Sequence, residues 1–333
     1  MAIFADRLPR GAALRALLTL VAVVACERPA PAHDESARSG TDVVRGDTAA
    51  VRGDTAAVIR VIDDAGRTVI LPRAARRVIS LIPAQTEIVM RLAGPDALIA
   101  RTQWDHAPEL AHLPSIGNAL TPSIEWLAMQ QPELVIAWTD VATRDVVQRL
   151  SDVGVPVYSS RVESIAEIRS MIARLGTLLG VDARADSMIA RLDAELAAVR
   201  ERVAGRPRPR VLYLLSADPP TIAGPGTFVD EVISLAGGEN VFADLRQLWP
   251  QVSLEEIVRR QPDLIIRALD RGVTAPLSGL TDAAGWRELS AVRERRVYGV
   301  DPDLYHRAGI TVGRAAALLA ERIHPDAAGG RSR

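Results

Sequence analysis

The sequence contains no lysine, so all 40 of its basic residues are arginine. That removes the phosphate-loop lysine, Schiff-base chemistry and Ser-Lys nucleophiles. There is one cysteine, Cys26, which removes disulfides, thiolate zinc sites and CxxC redox chemistry. Histidine is scarce, with only His33, His106, His112, His306 and His324, and so are aromatics, with five Trp, four Tyr and three Phe. A net charge of -1 over 333 residues gives no electrostatic case for a nucleic-acid partner. The apolar run near the start, Ala16 to Ala25, has ten residues with Thr19 among them; as a helix it reaches about 15 Å, half a bilayer core. What remains, 48% apolar and 24% charged, is an ordinary globular composition with length for one large or two ordinary domains.

Arg7, Arg10 and Arg15 precede the apolar run, which ends in Val23-Val24-Ala25-Cys26. A basic segment followed by a short apolar one reads as a secretory signal. It resembles a bacterial lipoprotein signal, in which the cysteine is lipidated and becomes the mature N-terminus; a buried apolar segment with a chance cysteine is the bland alternative. The expected signal is 1–25, followed by a flexible tether over 26–57 that is almost free of large apolar residues. The tether carries a tandem duplication, VRGDTAA at 44–50 and 51–57, whose Arg-Gly-Asp triplets read as by-products of the duplication.

From Val58 short apolar runs alternate with amphipathic stretches, the pattern of parallel α/β structure. Val58–Ile62 and Thr68–Leu71 flank a turn at Asp64-Ala65-Gly66 and predict a hairpin; RVISLI from Arg77, LVIAW from Leu134 and the run after Val155 predict buried strands. A helix is expected from near Thr86 to Gly94. Ile165 to Val203 has helical periodicity, with Gly176 and Gly180 as breakers and Asp182 as an N-cap for a helix of about 22 residues. A second strand–helix series then runs from Arg210 to about His324.

The two series echo each other. SIEWLAMQQPELVI from Ser123 and SLEEIVRRQPDLII from Ser253 share six of fourteen positions at a constant offset of 130. Each copy predicts a Ser-capped helix with an early glutamate (Glu125, Glu255), a Gln-Pro turn and a buried strand. The expected architecture is therefore α/β: a lobe over 58–180, a backbone helix over 181–205, a second lobe over 206–325 and a disordered tail over 326–333. Open α/β sheets bind ligands at the carboxyl ends of their strands, so two facing lobes make a cleft.

Trp104, Trp138, Trp249 and Tyr305 fall in loops after or between strands. Together they suggest a flat ligand stacked on aromatic faces, although each alone reads as core. Trp126 and Trp286 fall inside predicted helices and are assigned to the core. His106 and His306 read first as solvated loop side chains, with metal ligation the alternative. Gly224-Pro225-Gly226-Thr227 reads as a tight turn rather than an anion site. No HExxH, GxSxG or paired-carboxylate pattern argues for catalysis.

RVISLIPAQTEIV (77–89), the long central helix, QPELVIAW (131–138), AGGENVF (236–242) and WPQVSLEEI (249–257) resemble the periplasmic vitamin B12-binding protein family. These are substrate-binding lipoproteins of cobalamin ABC importers, in the helical-backbone metal-receptor group that also takes haem and ferric siderophores. The resemblance spans roughly 58–324. It implies the class III periplasmic binding protein fold, two Rossmann-like lobes joined by a single long α-helix. It also implies no enzymatic activity, no cofactor and no nucleic-acid partner.

The resemblance places Trp138 and Trp249 on the corrin cleft, Asp303 at a polar ligand contact and His106 where a tyrosine contact occurs; Trp104, Tyr305, Gln85 and Thr86 complete the expected binding set. Glu125 and Glu255 match the glutamates that dock on arginines of the permease dimer, and Cys26 is the lipidation site. Thr221, Ala119 and Leu304 stand where the family can carry aromatics, which makes this cleft less aromatic. The expected protein is a monomeric, membrane-anchored lipoprotein that delivers cobalamin to a permease. The alternatives are haem or a ferric siderophore, with Tyr305, His306 or His106 as axial ligand. From a different class come an α/β metal-inserting enzyme and a structural surface lipoprotein.

Overall fold

The computed structural model describes residues 58–140, 143–269, 280 and 283–325. The signal, Cys26, the tether and the C-terminal tail expected at 326–333 lie outside these residues. No described helix is long and apolar enough to cross a membrane.

The chain opens with the expected antiparallel hairpin, β1 (Ile59–Ile62) and β2 (Thr68–Leu71). Its turn does more than reverse the chain. The buried Asp63 carboxylate accepts the backbone N–H groups of Ala65, Arg67 and Ser159, and Asp64 accepts that of Arg161. The hairpin is thereby fixed to the strand that borders the cleft.

The first sheet is parallel, β3 (Val78–Ser80), β4 (Leu134–Trp138) and β5 (Val157–Ser160), in the order β3-β4-β5. Helix α1 (Pro83–Ala93) starts three residues before the Thr86 expected from sequence, because Pro83 fits a first turn, where its missing N–H is no loss. Helices α2 (Ile124–Met129) and α3 (Arg144–Asp152) complete this half.

Helix α4 (Ile165–Leu179) ends at Gly180 in the left-handed conformation (φ 66°), and α5 (Asp182–Val203) follows. Gly176 is not a breaker. It lies inside α4, and a Cβ there would meet the Ala185 Cβ at 2.4 Å, so its bareness lets α4 and α5 pack closely. Asp182 is the first helical residue rather than the cap, its carboxylate accepting the Thr177 hydroxyl.

The second sheet runs β10 (Val297–Val300), β9 (Leu264–Ala268), β6 (Arg210–Ala217), β7 (Pro220–Ile222), with β8 (Glu239–Asn240) also on β6. All its pairings are parallel except β6 with β7. Its helices are α6 (Phe228–Leu235), α7 (Leu254–Arg260), α8 (Ser290–Arg293), α9 (Pro302–Tyr305) and α10 (Val312–Ile323).

The internal echo is structural. Ser123 caps α2 by accepting the Trp126 N–H, and Ser253 caps α7 by accepting the Glu256 N–H, each at 3.2 Å. Gln131 (φ 50°) and Gln261 (φ 45°) both take the left-handed turn before their prolines. Each copy also carries a lock between an acidic residue of the echo and the strand before it. The carboxylates of Glu133 and Asp263 accept backbone N–H groups of Arg76 and Arg210, and the guanidiniums of Arg77 and Arg210 hold the carbonyls that end α2 and α7.

Three apolar clusters form the interior. Two lie on the outer faces of the sheets, and Trp126 and Trp286 pack there as expected. The third is continuous from β2 and α1, through α4 and α5, to α6 and α10. Leu192, Leu196 and Val199 of α5 are buried in it. Both halves of the molecule thus share one core along the connecting helix.

Candidate ligand-binding cleft

The carboxyl ends of β4, β5 and β10 converge on a cleft of about 790 Å³ walled by both lobes. Trp138 is the last residue of β4, where four buried strand residues give way to an indole half open to the cleft. Trp104 is set by a tight turn: the buried Asp105 carboxylate accepts the Thr102 N–H and hydroxyl, both at 2.7 Å. Trp249 faces them from the second lobe, on a segment pinned by Gly224 N–H to Leu248 O at 2.7 Å and Ile222 N–H to Pro250 O at 3.1 Å. A Cβ at Gly224 would collide with the Gln247 carbonyl, so glycine is required for that approach.

The floor is polar. Gln85, buried in the first turns of α1, donates from Nε2 to the Ser160 hydroxyl, while its Oε1 has no hydrogen-bond partner among the described residues. The Thr139 hydroxyl is likewise buried and unpartnered among them. Around the floor stand Asp140, Glu163, Asp303, Arg161 and Arg307, four of which form two salt-bridged pairs: Arg161–Glu163 at 3.7 Å and Arg307–Asp303 at 3.0 Å. Burial pushes the Glu163 carboxyl above its ordinary value against the pull of Arg161. Arg307 crosses between the lobes, its guanidinium donating to the Trp104 carbonyl at 2.9 Å. Sequence reasoning missed Asp140, Arg161, Glu163 and Arg307 as wall residues, and only their positions after strands hinted at them.

His306 also lines the cleft, edge-on to the buried Tyr213 ring at 6.4 Å. Its imidazole meets water, but the concave wall strips enough hydration to hold its pKa below the ordinary value. Tyr305 points into the core instead: it is buried, its hydroxyl donates to Ala315 O at 2.9 Å, and burial pushes that hydroxyl well above its ordinary pKa. A phenol so held is not poised to become a tyrosinate ligand. Thr86 is buried with its hydroxyl on Ile82 O, and both Thr86 and the exposed His106 line a neighbouring recess rather than the cleft. The structure therefore brings together Trp104, Trp138, Trp249, Gln85, Asp303 and His306, and sets Tyr305, Thr86 and His106 apart.

Glu125 and Glu255 are exposed in the first turns of α2 and α7. Their own backbone N–H groups and the capping serine hydroxyls hold both carboxyls below the ordinary range. Glu125 also pairs with Arg149 at 3.2 Å. No group of three or more His, Cys, Asp or Glu suited to a metal occurs among the described residues.

Two α/β lobes joined along α5, with an aromatic-walled cleft between them, have the architecture of a ligand receptor. Comparison with known proteins gives the family. Residues 78–304 match the periplasmic binding protein family, and the chain belongs to it. It is 28% identical over 318 residues to the ABC transporter substrate-binding lipoprotein YvrC of Bacillus subtilis, covering 93% of this chain and 95% of that one. Among solved structures it is similar to the periplasmic vitamin B12-binding protein BtuF of Vibrio cholerae (27% identity, TM-score 0.65, 76% of this chain and 98% of that one). It is also similar to the periplasmic haem-binding protein RhuT of Roseiflexus sp. RS-1 (28% identity, TM-score 0.68, 76% and 99%). The fold is that of the class III periplasmic binding proteins. The protein is an extracytoplasmic substrate-binding component of an ABC transporter, with a small-molecule ligand and a permease partner, and is not an enzyme.

Proposed function

We propose that this protein captures a corrinoid between its lobes and delivers it to its permease. One observation carries the choice of ligand: among the described residues the cleft offers hydrogen-bond acceptors and no arginine without a carboxylate partner. Both arginines among its described wall residues are engaged by carboxylates, Asp140 adds a further negative charge, and Gln85 Oε1 and the Thr139 hydroxyl lie buried without partners among the described residues. A buried acceptor left unsatisfied costs on the order of 1–3 kcal/mol, which a ligand N–H recovers. A corrin is a flat metal chelate edged with neutral amides, whereas haem carries two carboxylates. The amide-edged ring suits this wall, and the likeness to BtuF agrees with it.

In this reading the rings of Trp104, Trp138 and Trp249 stack on the corrin and Gln85 hydrogen-bonds its amides, with Asp303 a further polar contact. Glu125 and Glu255, one per lobe and equivalent in the echo, dock on the two halves of the permease. A lipid on Cys26 tethers the protein, as a monomer, to a membrane facing the permease.

Haem is the second reading, favoured by the imidazole of His306 on the cleft wall and the likeness to RhuT. Calorimetry and visible spectra of the purified protein with cyanocobalamin and with hemin separate the two. Cobalamin binding with no hemin Soret shift is expected. Hemin binding without cobalamin binding overturns the corrinoid assignment.

A further inference from the structure

Beside the cleft lies a recess of about 550 Å³. One wall is the outer face of α1, where Pro83, Thr86, Glu87, Met90 and Arg91 recur at helical spacing; another is the segment from Asp105 to Leu110, and the C-terminal lobe closes it. Pro83, Asp303 and Arg307 line both the recess and the cleft. The Arg307 side chain, reaching from its ion pair with Asp303 to the Trp104 carbonyl of the other lobe, stands where the two spaces meet. Its two contacts, one part-shielded ion pair and one hydrogen bond to a carbonyl, are what hold it there.

The recess has a definite chemistry. Its walls carry the carboxylates of Glu87, Asp105, Glu109 and Asp303 against the guanidiniums of Arg91 and Arg307, with the His106 imidazole beside them, so carboxylates outnumber guanidiniums by two; the Asp105 carboxylate is already engaged by Thr102. Arg91 is spent on Glu87 at 2.8 Å and Arg307 on Asp303. Such a space rejects carboxylate and phosphate groups and accepts neutral N–H and O–H donors or a cation.

We propose that this recess is a second compartment of the binding site, opened when Arg307 swings aside, which takes an uncharged, hydrogen-bond-donating arm of the ligand whose flat body fills the cleft. The inference rests on the corrinoid reading and narrows it: selection acts on the arms as well as on the ring. A ligand confined to the cleft leaves the Arg307–Trp104 bridge in place, and a ligand with such an arm gives up that bridge for the recess contacts.

Two probes and two substitutions test it by calorimetry. Dicyanocobinamide presents amide arms, and dicyanocobyrinic acid presents carboxylates on the same ring. Met90→Trp fills the recess from α1, and Glu109→Arg reverses one charge at an exposed position that lines the recess and not the cleft. The wild type is expected to prefer the amide probe. Met90→Trp is expected to weaken that probe about tenfold. Glu109→Arg is expected to weaken it severalfold while strengthening the carboxylate probe, an effect that shrinks with added salt. Thermal melting confirms that each variant is folded, and Glu109→Arg carries the test by itself if the larger side chain unsettles α1. Wild-type binding of both probes that neither folded variant changes overturns the recess and leaves the corrinoid reading standing. A wild type that binds neither probe brings down both.

Discussion

Replacing Leu196 by alanine tests whether the two lobes are one cooperative unit. Leu196 lies in α5, is fully buried, and belongs to the apolar cluster shared by both halves. The substitution removes three carbon groups from that core, about 2.4 kcal/mol at ~0.8 kcal/mol each. Helix α5 is clamped by α4 at Gly176–Ala185 and by α10 at Gly313–Glu195, so the site has little room to collapse, and the cavity adds on the order of 1 kcal/mol. The total of about 3–4 kcal/mol corresponds to a fall in Tm of roughly 4–7 °C for a chain of this size, at about 2.1 cal/mol/K of unfolding entropy per residue. Scanning calorimetry is the assay, with cleft residues untouched. One transition is expected in both proteins, displaced as a whole in the variant, because the core does not divide at the lobe boundary. A displacement under about 2 °C, or a second transition at the wild-type temperature, refutes the claim that α5 unites the lobes.

Two further predictions concern delivery rather than stability. Changing Glu125 and Glu255 together to alanine is expected to leave ligand affinity intact and to reduce uptake in reconstituted vesicles; unchanged uptake removes them from the docking surface. Replacing Cys26 by serine is expected to move the protein from the membrane fraction to the soluble one, and retention there removes the lipid anchor.

The elements most legible in the sequence are those whose causes are local. The strand LVIAW, the serine caps at Ser123 and Ser253, the stop at Gly180 and the apolar stripe of α5 each rest on side chains within a turn or two of one another, and each appears in the fold. The echo was legible for the same reason, since two copies of one local unit fold alike. Errors arose where a residue's role depended on a distant neighbour. Gly176 looks like a breaker until α5 lies against it. Tyr305 looks like a cleft aromatic until its hydroxyl is seen on Ala315 O, a partner that α10 brings back to it.

The sequence by itself determined the two α/β series, the long helix between them, the aromatic-bearing loops and the paired glutamates, since hydrophobic period, caps and turns act over a few residues. Only the tertiary structure decided which side chains share a space. Arg307 reaches a carbonyl 203 positions away, Gln85 hydrogen-bonds Ser160 across 75, and the divide between cleft and recess is made of contacts between lobes. Charge balance inside a cavity is a property of groups gathered from the whole chain. The near-neutral balance of 333 residues therefore does not disclose that carboxylates outnumber guanidiniums on the described walls of both spaces.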